Sequence, residues 1–502
     1  MPTTFTSLCV RLAAFTLFAA PVIVLTDPVD ASPVSSTPGQ VAAEPVTATT
    51  TGAARNRRTG DLSRTPRKVV AGEPFPVKGR LPAWASGHRK RVWLQRRERD
   101  RWLSTRTGTA ARNGAFTFRR VTVGAGDNRL RVAVSRNGRR VPATRTIPVT
   151  AVHPTVTART LPSLAQPGRT PADIPSGRLV TAQVDPPVRG DETTLERRTG
   201  SGWRAVDRQR QDATGQVVYR VTGRGVYRVV SGVSTSRPVT VTPSKLLFAD
   251  DFAGPLDTTV WNHQERPRNE ATGRSCAETS PFAVASTGRT LRLGVRLDPA
   301  SKGTPCAYPD GVSSYLLNSQ VATEESFSFT YGYVAARMRL HRSQGMHSAF
   351  WLLPADLECG RNQWYVHGAA EVDVVEFFGD PAGDIPGLGI ASFVHGPTSS
   401  GTYTKVGDPV ANGYSRVTAH LKPAGHEWWD SYHVFSVEWT PTELTFRVDG
   451  RVYFVESTVV PRVPLYPVLS MLTADYELSK LSLSSLDDSA DVDWVTVHAL
   501  ED

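Results

Sequence analysis

Residues 370–378 read Ala370-Glu371-Val372-Asp373-Val374-Val375-Glu376-Phe377-Phe378. Valine is frequent, aromatics follow, and Gly379-Asp380 ends the run, which marks a β-strand. Side chains alternate across a strand, so Glu371 and Asp373 share a face, while Glu376 falls on the other. There it would enter the core that Val372 and Val374 occupy, where a lone carboxylate is costly. A β-bulge at Val374-Val375 adds one residue to the register and returns Glu376 to the face of the other two acids.

Three acids in a row repel one another when ionised, and three readings of the row compete. Acid/base chemistry uses that repulsion to keep a proton on one carboxyl while another stays ionised. A hard cation such as calcium also takes clustered oxygens, although more often from a loop than from a strand. A merely wet strand face predicts mixed polar residues rather than three acids. The neighbourhood is aromatic: Trp351 precedes the acids in Ser348-Ala349-Phe350-Trp351-Leu352-Leu353-Pro354, Trp364 and Tyr365 lie just ahead of Glu371, and Trp428, Trp429 and Trp439 follow. Flat aromatic faces suit the C–H faces of sugar rings, although Trp351 and Trp439 suit a core equally well. His395, in Ser392-Phe393-Val394-His395, is placed to hydrogen-bond a substrate or an acid.

Working outward, strand patterns recur across 246–502, as in TLRLGVRL, GYVAARMRL, YHVFSVEWT and LTFRVDGRVYFVE, and Asp449-Gly450 between alternating runs signals a hairpin. An all-β domain of that size is most simply two stacked antiparallel sheets. Upstream the chain repeats itself. Val92-Trp93-Leu94-Gln95-Arg96-Arg97 resembles Thr193-Thr194-Leu195-Glu196-Arg197-Arg198, and Trp102 matches Trp203, Gly114 Gly215, Phe116 Val217 and Phe118 Tyr219, all 101 residues apart. Leu130-Arg131-Val132 matches Tyr227-Arg228-Val229 after a small deletion. Fixed spacing indicates a duplicated unit, read here as two small immunoglobulin-like β-sandwiches at 66–152 and 153–243.

The 502 residues allow about three domains, and 39% apolar with 21% charged residues is ordinary globular composition. Charge is divided: residues 1–245 carry 40 Lys+Arg against 15 Asp+Glu, and the remainder 18 against 32. The Arg-rich repeats could hold the protein on an anionic cell-wall polymer, or could simply form a solvated surface. No nucleic-acid motif accompanies the charge. The uncharged run Leu12–Leu25 is too short to span a bilayer and reads as the core of a signal peptide at 1–31. Residues 32–65, rich in Pro, Ala, Thr, Ser and Arg, read as a disordered linker. The expectation is a secreted monomer, extracellular or wall-associated, with no membrane contact after cleavage. Export permits one disulfide among Cys276, Cys306 and Cys359, with three pairings open.

The segment Glu371-Val372-Asp373-Val374-Val375-Glu376 resembles the E-x-D-x-x-E signature of glycoside hydrolase family 16 in its bulged, laminarinase-like form. Asp250-Asp251-Phe252, Leu256 to Asn262, Tyr331-Gly332-Tyr333-Val334, Arg337-Met338-Arg339, His433 to Trp439 and Val492-Asp493-Trp494-Val495 agree in order. The resemblance implies an all-β chain ending in a β-jelly roll, with the acids on a concave sheet. It implies retaining endo-hydrolysis of a β-linked polysaccharide, most simply a β-1,3- or mixed-linkage glucan. Glu371 would be the nucleophile, Glu376 the acid/base and Asp373 the residue between them; Trp351, Trp364, His395 and Arg337 would contact substrate. A galactanase, a transglycosylase or a non-catalytic glycan-binding protein are the alternatives. No cofactor is required; many members hold a structural calcium, which nothing in this sequence marks. The sequence departs from the pattern at Ala335, where the family often has Glu, and in Met471 to Glu477; both departures bear on substrate linkage.

Overall fold

The structure is a computed structural model that describes residues 59–164, 178–188, 190–355, 368–379, 390–398, 400–408 and 427–500. The expected signal peptide, most of the expected linker, Cys359 and Trp364 lie outside the described residues. No helix among those described is long and apolar enough to cross a membrane. The described residues fall in one compact unit, Arg57–Asp502. Their regular secondary structure is nearly all strand, and their α-helix is the single turn Asp475–Leu478.

Two N-terminal groups of strands each close over their own core. In the first, a six-stranded sheet lies with the pair Phe75–Arg80 and Ala115–Val121 around Val77, Leu94, Phe118, Val132 and Val149. One boundary needs correction. The expected linker ran to residue 65, yet Gly60 bridges Thr144 and Leu62 is buried in this core, so ordered chain starts before residue 66. Leu62 is an isolated apolar residue in a polar stretch, and periodicity does not register a single anchor. The second group, a three-stranded and a five-stranded sheet, encloses Val180, Leu195, Tyr219 and Val229.

The repeat reappears as geometry. Strand pairs Lys90–Glu98 with Arg101–Ala110 and Glu192–Thr199 with Gly202–Arg210 shift register at Leu94/Gln95 and at Leu195/Glu196, the same place in each copy. Arg131 stacks 3.9 Å from the Trp102 ring and donates to Gln95 at 2.9 Å. Arg228 stacks 4.3 Å from Trp203 and donates to Glu196 at 2.7 Å.

The C-terminal strands form a sandwich of an eight-stranded and a nine-stranded sheet. Phe350, Val372, Val374, Val375 and Phe377 of the larger sheet meet Phe435, Val437, Trp439, Val492 and Val495 of the smaller across one core. The larger sheet runs in the order Asn262–His263, Leu316–Ala322, Leu465–Leu472, His347–Pro354, Glu371–Phe377, Ile390–Pro397, Tyr403–Asp408. A disulfide joins Cys276 to Cys306 beside it.

Candidate active site

The site is built on Glu371–Phe377, the acid strand. On one side its neighbour is His347–Pro354, with Ala349 opposite Glu376 and Trp351 opposite Asp373. On the other it is Ile390–Pro397, with His395 opposite Glu371, Phe393 opposite Asp373 and Ala391 opposite Glu376. Three steps from Asp373 to Glu376 span two on the partner strand, so the bulge required by alternation is present at Val374-Val375. Both valines are buried in the core, and all three acids point away from it. The bulge disturbs the ladder at the Val374 carbonyl, which accepts hydrogen bonds from the Ser392 hydroxyl at 2.9 Å and the Tyr453 hydroxyl at 3.2 Å.

Asp373 is 4% exposed, between two half-buried glutamates. Burial raises all three carboxyls: Glu371 to about 7, Asp373 to about 7 and Glu376 to about 8. The Asp373 charge adds to the rise at both glutamates, and Lys405, from Tyr403–Asp408, opposes it at all three. His395 Nε2 lies 3.2 Å from Asp373 Oδ2, and burial holds its imidazole below the usual range. Glu371, Asp373 and His395 each offer a ligand atom within 4.8 Å of the others, a spacing that would also suit a cation.

A cleft of about 930 Å³ starts at Glu371 and crosses Trp351 toward Asn262, Gln264, Arg266 and Glu324. Trp351 is pinned by its Nε1 donating to Ser470 Oγ at 3.1 Å and packs on buried Ala322, Leu353, Tyr466 and Val468; Trp351 and Leu353 line the cleft. The described lining does not include Asp373 or Glu376.

Trp351 and His395 therefore come together with the acids. Arg337 does not, and its expected contact with substrate is corrected. It lies on Gly332–Arg339 in the other sheet, pairs with Asp493 and stacks 4.7 Å from the Tyr432 ring. Alternation with core residues Val334, Ala336 and Met338 directs it outward, on the side of the sandwich opposite the cleft. Trp439 is core, donating to the Pro461 carbonyl at 3.0 Å. Ala335 is also on the outer face, beneath the second N-terminal module, so that departure does not bear on the cleft. Lys405 and Arg266 escaped the sequence reading: Arg266 sits in an irregular segment with no period, and only strand pairing brings Lys405 opposite His395.

A family model described as Glycosyl hydrolases family 16 matches residues 311–494. The chain is 27% identical over 248 residues to glucan endo-1,3-beta-glucosidase A1 of Niallia circulans, covering 47% of this chain and 33% of that protein. It is 29% identical over 139 residues to a beta-glucanase of Rhodothermus marinus, covering 27% of this chain and 41% of that one. The chain thus spans less than half the length of these curated relatives. Among solved structures, the laminarinase catalytic domain of Thermotoga maritima matches at 19% identity and a TM-score of 0.40, over 52% of this chain and 99% of that one. The acid strand with its bulge lies inside the matched segment, so residues 311–494 of this chain carry a glycosyl hydrolase family 16 domain.

Proposed function

We propose that the C-terminal domain cleaves β-linked glucan internally, at β-1,3 or mixed linkages, with retention of configuration. One observation carries the reading: the bulge sets Glu371 and Glu376 on one face of one strand, beside a cleft with an apolar tryptophan wall. Glycosidic cleavage divides its work between two such carboxyls. Ionised Glu371 attacks the anomeric carbon while Glu376, which holds its proton most strongly, gives it to the departing oxygen. Glu376 then takes a proton from water, whose oxygen displaces Glu371 from the sugar. Asp373 lies between them and, with His395, bears on the charge of Glu371. The relatives' names, an endo-1,3-glucosidase and a beta-glucanase, support glucan over galactan. The same reading has the chain exported on its Leu12–Leu25 run, with two immunoglobulin-like modules ahead of the enzyme. It needs no cofactor.

The test is a panel of β-glucans and galactans assayed for new reducing ends, with and without EDTA. The parent should release ends from β-1,3-glucan and EDTA should leave the rate unchanged, whereas a cation held by Glu371, Asp373 and His395 would make it fall. Glu376→Ala should cost about 10²–10⁴-fold where proton transfer limits the rate. Binding without release of ends would mark a glycan-binding domain instead, and longer products would mark transglycosylation.

A further inference from the structure

A buried ionisable pair beside the acid row has no part in the mechanism above. His347 opens the strand His347–Pro354, whose pairing with Leu465–Leu472 is regular: His347 opposite Leu472, Ala349 opposite Ser470, Trp351 opposite Val468. Alternation puts His347, Ala349 and Trp351 on the cleft face, and Leu472 lines the cleft. Because Ala349 faces Glu376, His347 is the diagonal same-face neighbour of Glu376, a relation that spans about 7–8 Å between backbones.

His347 is 4% exposed, and its Nδ1 lies 2.6 Å from Oε2 of Glu477, which is 5% exposed. Glu477 comes from the one-turn helix, and the same Oε2 accepts from the Ala474 backbone N–H at 3.1 Å. The imidazole packs 5.3 Å from the Phe378 ring. A buried carboxylate–imidazole pair contributes little stability that apolar side chains of the same size would not supply, so its place beside the acid row asks for another reason.

We propose that His347, held by Glu477, is a positioning residue for Glu376, bearing on its carboxyl from the neighbouring strand. The inference rests on the reading of Glu376 as the acid/base. The ionisable groups that bear on Glu376 are Glu371 and Asp373 on its own strand, His347 on one neighbouring strand, His395 on the other and Lys405 on the outer strand Tyr403–Asp408; the two acids raise its proton affinity, His347 and Lys405 lower it, and Glu376 in turn favours the protonated His395 ring. His347 in turn faces Glu477 and lies near His341. The segment Met471 to Glu477, where the sequence departs from the family pattern, is thus the segment that supplies the partner of His347.

The experiment titrates the Glu376 carboxyl by ¹³C NMR in the full chain, comparing the parent with His347→Gln and Glu477→Gln. His347 lowers the proton affinity of Glu376, so its replacement should raise the Glu376 midpoint by about half a unit to one unit. Glu477→Gln should move it the same way by less. The alkaline limb of the kcat/KM profile should follow, because Glu376 must start protonated. Lower melting temperatures with an unmoved midpoint in both variants would overturn the proposal and leave the pair merely structural. If His347→Gln does not fold, Glu477→Gln decides alone. The titration needs no substrate, so a parent that cleaves no glycan would sink the acid/base reading while the NMR still answered for the pair.

Discussion

At the scale of single residues, the acid row stores a conflict between chemistry and stability. Burial raises Glu376 from an ordinary 4.5 to about 8. Between those values the unfolded chain has released this proton and the folded chain still holds it, so the group's contribution to stability falls as pH rises through that window. Above it the fold carries a largely desolvated charge. Glu376→Gln keeps the shape and removes the charge. It should cut glycan release as steeply as Glu376→Ala and raise the melting temperature of the C-terminal sandwich, by roughly 2–4 °C for each kcal/mol recovered in a domain of about 250 residues. The gain should be small at pH 5 and largest above pH 8. Differential scanning calorimetry at both values checks this; a gain that is the same at both would mean that desolvation is not what raises Glu376. His395 shows a related economy, since burial keeps its imidazole from charging while it stays beside Asp373.

At the scale of elements, the bulge is a question of parity. The stretch Glu371-Val372-Asp373-Val374-Val375-Glu376 needs one residue taken out of register. Deleting Val375 leaves E-x-D-x-E, in which plain alternation already places all three acids on one face, and Glu376 keeps Ala349 and Ala391 as partners. That deletion should therefore retain more glycan release than Glu376→Ala. Complete loss together with a folded domain would show that the chemistry needs the bulge itself. The same parity explains what could be read without coordinates. Five intervals between two glutamates, with valines demanding the core, specify the bulge. The repeat likewise pairs the positions of the twin Arg–Trp stacks of the N-terminal groups, Trp102 with Trp203 at the 101-residue offset and Arg131 with Arg228 after the small deletion. Alternation names the face of a strand but not its sheet, and so Arg337 was expected in the cleft although it faces outward from the other side. His347 and Glu477, 130 residues apart, meet because the short helix Asp475–Leu478 follows the strand Leu465–Leu472 that pairs with His347–Pro354, and a lone His and a lone Glu carry no period that announces this.

At the scale of the molecule, the second N-terminal module closes onto the outer face of the smaller sheet. Leu161, Leu164 and Leu179 pack with Tyr333, Ala335, Val434 and Trp494 in one buried cluster. The Asp449-Gly450 turn seats against the module: both residues have positive φ, as a tight hairpin requires, and a side chain at Gly450 would meet Leu179 at 2.9 Å. Gln216 joins the adjoining strand twice, donating to the Val452 carbonyl and accepting from the Val452 N–H, each at 2.7 Å. Arg159 reaches Glu438 at 3.2 Å and Ser244 meets His498 at 3.0 Å. Ala335 is 1% exposed beneath this contact, so the position where the family often has Glu is here part of an intramolecular seam. Ala335→Glu would bury a charge among leucines and should destabilise the full chain by about 2–5 kcal/mol. The cleft lies on the opposite sheet, so glycan release by the folded variant at low temperature should match the parent. Thermal unfolding followed alongside activity separates the two effects. An unchanged melting temperature would mean that Leu161, Leu164 and Leu179 do not cover this face in solution; lost activity at a temperature where the chain is still folded would mean that the seam and the cleft are coupled through the core between them.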